Sequence, residues 1–253
     1  YSDQNGFNNA AALLADTNSF KGIDIIRFGN SINEIMERKS LENISILLQM
    51  EQCIQMFHQY YRYEKIEGMD RKSVDKIPER DFREAVANAL VHRMWDIPAS
   101  IKISMYSDKI EISSPGGLPA GISEDEYLNG QISLLRNPII GNVFFRLKYI
   151  EKFGTGIMRI NYAYKDALIK PDYHIFSNSI QIILPVIKSD YKLNETEKKL
   201  LNILKINGSM TRNEIEKAAE IDKSKAIRGL NRLIEKKMIQ KRDLGRGTKY
   251  EIV

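Results

Sequence analysis

The sequence predicts an α+β chain: a sheet-and-helix part over residues 77–187, then a small basic part of three helices and a hairpin over residues 191–253. Three observations predict it. After Pro78 a helical period gives way to two short alternating segments and a loop rich in Gly and Pro, as in a helix packed on a sheet. Three amphipathic stretches and a glycine-containing hairpin close the chain. The cationic excess is confined to that closing part: residues 191–253 hold 16 Lys/Arg and 9 Asp/Glu, so the net +5 divides into +7 there and −2 elsewhere.

Composition narrows the function classes. A chain of 253 residues that is 43% hydrophobic has room for two domains and part of a third. No apolar run approaches the ~18–20 residues that span a bilayer, no secretory signal is visible, and a cytoplasmic location is expected. Cys53 is the only cysteine, which excludes an intrachain disulfide. It lies in an apolar helical stretch and is expected to be inert. His58, His92 and His174 stand far apart, so a Cys/His zinc site is not expected. A localised basic surface favours a polyanion, because phosphates neutralised by Lys and Arg release their counterions.

Taken in order, residues 10–14 read as a turn of helix and residues 23–28 as a strand between Gly22 and Gly29. A helix follows from about residue 41 to 61. Two strand-like pieces are too few for a sheet of their own, so residues 1–70 are expected to be the truncated end of an N-terminal α/β piece. The polar stretch 68–76 reads as a linker. The cluster Tyr60-Tyr61-Arg62-Tyr63 suggests a partner surface or interdomain packing. Pro78 opens a helix over residues 79–93. Phe82, Val86, Ala89 and Leu90 fall on one side of it, and Glu84, Asn88 and His92 form a polar stripe on the other.

Such a stripe is usually only solvated. Glu and Asn one turn apart can also do chemistry: the carboxylate orients or deprotonates a water and the amide oxygen ligates Mg²⁺ on a triphosphate. Trp95 reads as a packing anchor. Strands over residues 101–106 and 109–113 flank Ser107-Asp108, and a loop of Pro115, Gly116, Gly117, Leu118, Pro119, Ala120 and Gly121 follows. Helices are expected over 138–147 and 156–167 and a strand over 179–186. Asn137 reads as a cap, and Arg136 as a residue able to reach a phosphate. Gly154-Thr155-Gly156 opens a helix where bare N–H groups can cradle phosphate.

In the closing part, a helix over residues 195–206 stops at Asn207-Gly208, and Thr211 with Glu214 forms a capping box on a second helix. Ile221-Asp222 turns the chain into a third helix over 223–237. Its apolar face holds Ile227, Leu230, Leu233 and Ile234; its other face presents Lys223, Ser224, Lys225, Arg228, Asn231 and Arg232. A hairpin with Arg242 and Lys249 on its strands turns at Gly245-Arg246-Gly247. That order is a winged helix-turn-helix, whose third helix enters the major groove while the wing reaches backbone or minor groove. These nine residues, Lys223, Ser224, Lys225, Arg228, Asn231, Arg232, Arg242, Arg246 and Lys249, are the candidate DNA contacts.

The runs REAVANALVHRMWDIPASIKISMYSDKIEISSPGGLPAGI and LLRNPIIGNVFFRLKYIEKFGTGIMRI resemble the RecG-like C-terminal region of bacterial and archaeal transcriptional regulators, which is similar to the GHKL ATPase fold of gyrase, Hsp90 and histidine kinases. The upstream run NNAAALLADTNSFKGIDIIRFG resembles the end of the Schlafen/AlbA-like domain that precedes it in that family, and a winged helix follows there as here. The resemblance implies a GHKL-like two-layer α/β sandwich, ATP with Mg²⁺ as cofactor, Glu84 as general base and Asn88 as Mg²⁺ ligand. It also implies a nucleotide pocket drawing on Asn88, His92, Gly116, Gly117, Gly154, Thr155 and Gly156. One element departs from the pattern: Ser114 stands where active members carry the aspartate that binds the adenine amino group, and Pro115 removes a backbone donor. Nothing matches GxxxxGK[ST], so a P-loop helicase is not expected.

Three functions follow as alternatives. The first is a DNA-binding transcriptional regulator, expected as a homodimer, with a degenerate GHKL-like domain that packs or senses a nucleotide or other small ligand. The second is a weak GHKL-type ATPase whose cycle rearranges the domains. The third is a scaffold whose winged helix binds protein.

Overall fold

The computed structural model describes residues 2–3, 6–130, 134–150, 154–167, 169–187, 193–236, 238–243 and 248–252. The chain divides into two compact units, Tyr1–Lys188 and Ser189–Val253.

The first unit opens with short paired strands β1 (Ser2–Asp3) and β2 (Gly6–Phe7) and helix α1 (Asn9–Leu14). Strands β3 (Ile23–Phe28) and β4 (Ile35–Leu41) follow, then α2 (Ile46–Tyr61), the hairpin β5 (Arg62–Glu67) and β6 (Asp70–Asp75), and α3 (Glu79–His92). Next come β7 (Ile101–Met105), β8 (Lys109–Pro115), α4 (Glu124–Leu128), α5 (Pro138–Arg146), α6 (Gly156–Ala163), β9 (Asp172–Phe176) and β10 (Ser179–Pro185). The large sheet runs β4-β3-β7-β8-β10-β9. All of its pairings are antiparallel except β3 with β7, where Ile23 registers with Ile101. The period-two pattern puts Ile23, Ile25, Ile101, Ile103, Ile110, Ile112 and Ile182 on one buried face. Helix α3 packs on β8 and touches α2, α5 and α6. It is therefore buried on more than the expected side: Ala85, Ala87 and Val91 are enclosed along with Phe82, Val86, Ala89 and Leu90.

Several expectations need correction. The strand over 23–28 does not end a separate N-terminal piece. It hydrogen-bonds to β7 and carries β4 on its other edge, so both strands complete the main sheet. The stretch 68–76 is no linker. Its polarity hid a hairpin whose two-residue loop places Gly68 at φ +67°, the positive φ such a loop requires at its first position. Leu41 closes β4, and α2 begins only at Ile46, where the Ser45 hydroxyl caps it. Helix α4 and strand β9 were not anticipated.

The tyrosine cluster packs within this unit. The Tyr61 hydroxyl donates to the Tyr106 (2.6 Å) and Lys109 carbonyls, Tyr60 donates to Glu37, and Arg62 pairs with Asp75 and Glu79. Trp95 anchors packing as expected, edge-on to Phe20 and under the Arg93 guanidinium. Cys53 is buried, and burial pushes its thiol pKa upward.

The second unit holds α7 (Glu195–Asn207), β11 (Met210–Thr211), α8 (Arg212–Ala219), α9 (Lys223–Glu235), β12 (Ile239–Asp243) and β13 (Thr248–Ile252). Its sheet runs β11-β13-β12, all antiparallel. Strand β11 is two residues long and left no periodic signal. Capping fixes each helix start: Asn194 with Glu197 and Thr211 with Glu214 form capping boxes, and the Asp222 carboxylate accepts from the Lys225 N–H. Leu200, Leu201, Leu204, Ile215, Ala226, Leu230, Leu233 and Tyr250 form its core. Inside it the buried Glu197 carboxylate is held by the Lys236 ammonium at 2.8 Å and the Asn194 N–H, and these contacts draw its pKa below the usual range against the opposing effect of burial.

Candidate functional site

The polar stripe of α3 does not face solvent. Glu84, Asn88 and His92 line a cavity of about 60 Å³ with Gly117, Gly154 and Gly156. A smaller cavity of about 20 Å³ shares Asn88 and His92 with it and reaches Ser114 and Gly116. The structure thus gathers seven of the eight residues expected in the pocket. Thr155 is the exception: it precedes α6 without capping it, and its buried hydroxyl makes no hydrogen bond. Apolar Ile122, Leu135, Ile150, Ile157 and Ile180 complete much of the lining, with Tyr127.

What surrounds these residues is as informative as their meeting. The Asn88 amide donates to Glu84 Oε1 at 3.2 Å. Helix α6 starts directly on that pair: a Cβ at Gly156 would run into the Glu84 carboxylate and lie 3.1 Å from Asn88 Nδ2. The Ser114 hydroxyl donates to the Ala89 carbonyl at 2.8 Å, which fastens the end of β8 to α3. Arg136 reaches no open space. Its guanidinium donates to the His92 carbonyl at 2.9 Å and the Gly117 carbonyl at 2.7 Å. Asn137 sits at the start of α5, yet its side chain caps a different helix end, donating to the Val91 and Arg93 carbonyls at 2.7 and 2.8 Å. Together these two residues satisfy the Val91, His92 and Arg93 carbonyls at the C-terminus of α3. Burial, reinforced by the Arg136 charge, pushes His92 down to about 4, so its imidazole is neutral near pH 7.

Two sets of internal contacts lie where the resemblance would put the phosphates and metal of a nucleotide. The turn expected to wrap a terminal phosphate lies against the Glu84–Asn88 pair expected to hold the water and the metal. Arg136, the residue expected to reach a phosphate, is engaged by carbonyls of its own chain. What the cavity offers is a largely apolar cleft with one carboxylate–amide pair at its side.

The same helix carries a buried acid that the sequence reading does not single out. Asp81 is 3% exposed, one of its oxygens is without a partner, and burial pushes its pKa up to about 7. Its four-residue spacing from Ile77 and Ala85, both buried, was the available signal.

The basic candidates in the second unit behave differently. Lys223, Ser224, Lys225, Arg228, Asn231 and Arg232 are all exposed along α9, whose opposite face buries Ala226, Leu230 and Leu233. Arg242 and Lys249 stand directly opposite each other in the β12–β13 register; Arg242 approaches Glu251 at 3.5 Å, and Lys249 is half-buried. Arg246 and its flanking glycines lie outside the described residues.

Two family models match, one to each region. Residues 99–184 match "Putative ATP-dependent DNA helicase recG C-terminal", and residues 187–253 match "Sugar-specific transcriptional regulator TrmB". The chain joins a recG-C-terminal-like domain to a TrmB-type regulator domain. Among solved structures, the DIP2311 protein from Corynebacterium diphtheriae shares the fold with a TM-score of 0.64 at 20% identity. The likeness covers 100% of this chain and 55% of that one, so this chain spans about half the length of the protein it resembles. No curated protein matches the chain. Among the described residues, no helix is long and apolar enough to cross a membrane, and no group of three or more His, Cys, Asp or Glu could hold a metal ion.

Proposed function

We propose that the chain is a DNA-binding transcriptional regulator whose second unit is a winged helix-turn-helix. Helix α9 enters the major groove and the β12–β13 hairpin is the wing that follows the backbone. The observation that carries this reading is the exposed face of α9, with Lys223, Lys225, Arg228 and Arg232 on a helix whose other face is core. Phosphate neutralisation by such a face supplies affinity, and the polar side chains between the cations meet base edges. We assign β3 and β4 to the first unit, whose sheet they complete, in place of a Schlafen/AlbA-like remnant. That unit serves as a packed platform with a small chamber for an uncharged ligand. The regulator works as a homodimer on paired half-sites, and its mass in solution with and without DNA tests that point.

Binding-site selection from random duplexes, run on the full chain with and without Mg·ATP, tests the reading. A recovered consensus, the same in both arms, is the expected outcome. Recovery of no consensus would favour the scaffold reading, and a consensus that depends on nucleotide would restore the ATP-driven one.

A further inference from the structure

The exposed polar residues of α9 form two groups rather than one face. Lys225, Arg228 and Arg232 recur at helical spacing on the side of α9 nearest α7. With Asn194 and Thr196 at the start of α7 they line a cleft of about 110 Å³. Gly229 lies on the same stripe and lets the two helices come this close. A Cβ there would meet Leu200 Cδ1 at 2.5 Å and Thr196 Cγ2 at 3.6 Å. Ser224 and Asn231, also exposed, fall a seven-residue step apart on the neighbouring stripe that faces outward from the core.

The charges around the cleft are unbalanced. Asp222 lies 3.9 Å from Lys225 while capping α9. Glu195 turns to Lys198 at 3.0 Å, and Glu197 is buried against Lys236. Three cations therefore line this space, and Asp222 approaches one of them, Lys225, at 3.9 Å. The Asn194 carbonyl oxygen is engaged by the Glu197 N–H, so its amide N–H groups, with the Thr196 hydroxyl, are the polar donors at the opposite wall.

We propose that this cleft seats one backbone phosphate of the duplex. Lys225 and Arg232 then act as positioning residues that set the register of α9, with Arg228 between the two stripes, while Ser224 and Asn231 discriminate bases. The proposal rests on the DNA-binding reading above and divides its contacts into two kinds. Its test measures affinity of the full chain for a selected duplex and an unrelated duplex across a salt series. Arg232→Ala and Lys225→Ala are each expected to weaken the selected and unrelated duplexes by the same factor and to make the log–log salt slope shallower, by about 0.9 in all for the double variant because the two share one phosphate. Arg232→Lys should keep the slope. Ser224→Ala and Asn231→Ala should keep the slope and shrink the ratio between the two duplexes. If Arg232→Ala instead changes the ratio and leaves the slope intact, the phosphate seat is wrong although DNA binding stands. If the wild-type chain shows no salt-dependent duplex binding, both the seat and the reading beneath it fall.

Discussion

The α3 pocket and the α9 face were both marked by polar residues at helical spacing on an amphipathic helix, yet they met opposite fates. In the pocket, polar groups turn inward to their own chain: Asn88 to Glu84, Ser114 to Ala89, Arg136 to His92 and Gly117. On α9 the cations remain exposed, and hydrogen bonds from Arg228 go no farther than its own helix. Spacing alone does not separate a polar stripe that holds a fold together from one that awaits a partner. What separates them is the layer outside. α3 lies between the sheet and other helices, whereas α9 has a core on one side and solvent on the other.

The contrast breaks most readily through charge. Replacing Lys225, Arg228 and Arg232 together by Ala should lower duplex affinity by about tenfold or more at 0.15 M salt, since all three cations of the phosphate seat vanish at once. Their exposure means the melting temperature should barely move, which calorimetry checks alongside binding. An intact affinity would show that α9 is no more a partner surface than α3.

Removing an internal tie should do the reverse. Asn137→Ala leaves the Val91 and Arg93 carbonyls without their donor and should destabilise the first unit by about 1–3 kcal/mol. Urea unfolding would reveal this, while DNA affinity of the folded protein stays unchanged. Ser114→Ala removes the hydrogen bond that ties β8 to the Ala89 carbonyl and is expected to cost about 1 kcal/mol.

Asp81 sharpens the picture through pH. Its folded-state pKa, about 7, lies above the unfolded value, so folding favours the protonated form. The associated stability is complete below the unfolded pKa and is lost as pH rises from about 4 to 7, at up to roughly 1.4 kcal/mol per unit. His92 has the opposite sign: its folded pKa is depressed to about 4, and its contribution is lost as pH falls from about 6.5 to 4. Asp81→Asn should therefore raise the melting temperature relative to wild type at pH 8 and have little such benefit at pH 4. An equal effect at both values would show that Asp81 is not titrating in this window. The smallest expected effect is none: titration with Mg·ATP should release no heat, and a saturable signal lost in Asn88→Ala would overturn the poor fit argued for the pocket.

Much of this was legible before any coordinates. Thr211 and Glu214 announced a capping box that the structure contains, and the isoleucines of β7 and β8 alternated as a half-buried sheet must. The pocket residues were named from a resemblance and do converge. The sequence was silent where pairing is long-range: β3 finds β7 across 78 residues between Ile23 and Ile101, and nothing local in 23–28 says so. It misled at 68–76, where charged residues on an exposed hairpin looked like a linker. In sequence, Arg136 and Asn137 look like a ligand contact and a local cap because their partners, the last carbonyls of α3, are about forty residues away in the chain.

The most direct test of the central claim is the affinity of the full chain for a selected duplex measured from 50 to 300 mM salt. A surface of exposed cations on α9 predicts a straight fall of log affinity with log salt, steep enough to count several neutralised phosphates. A flat line across that range would contradict it.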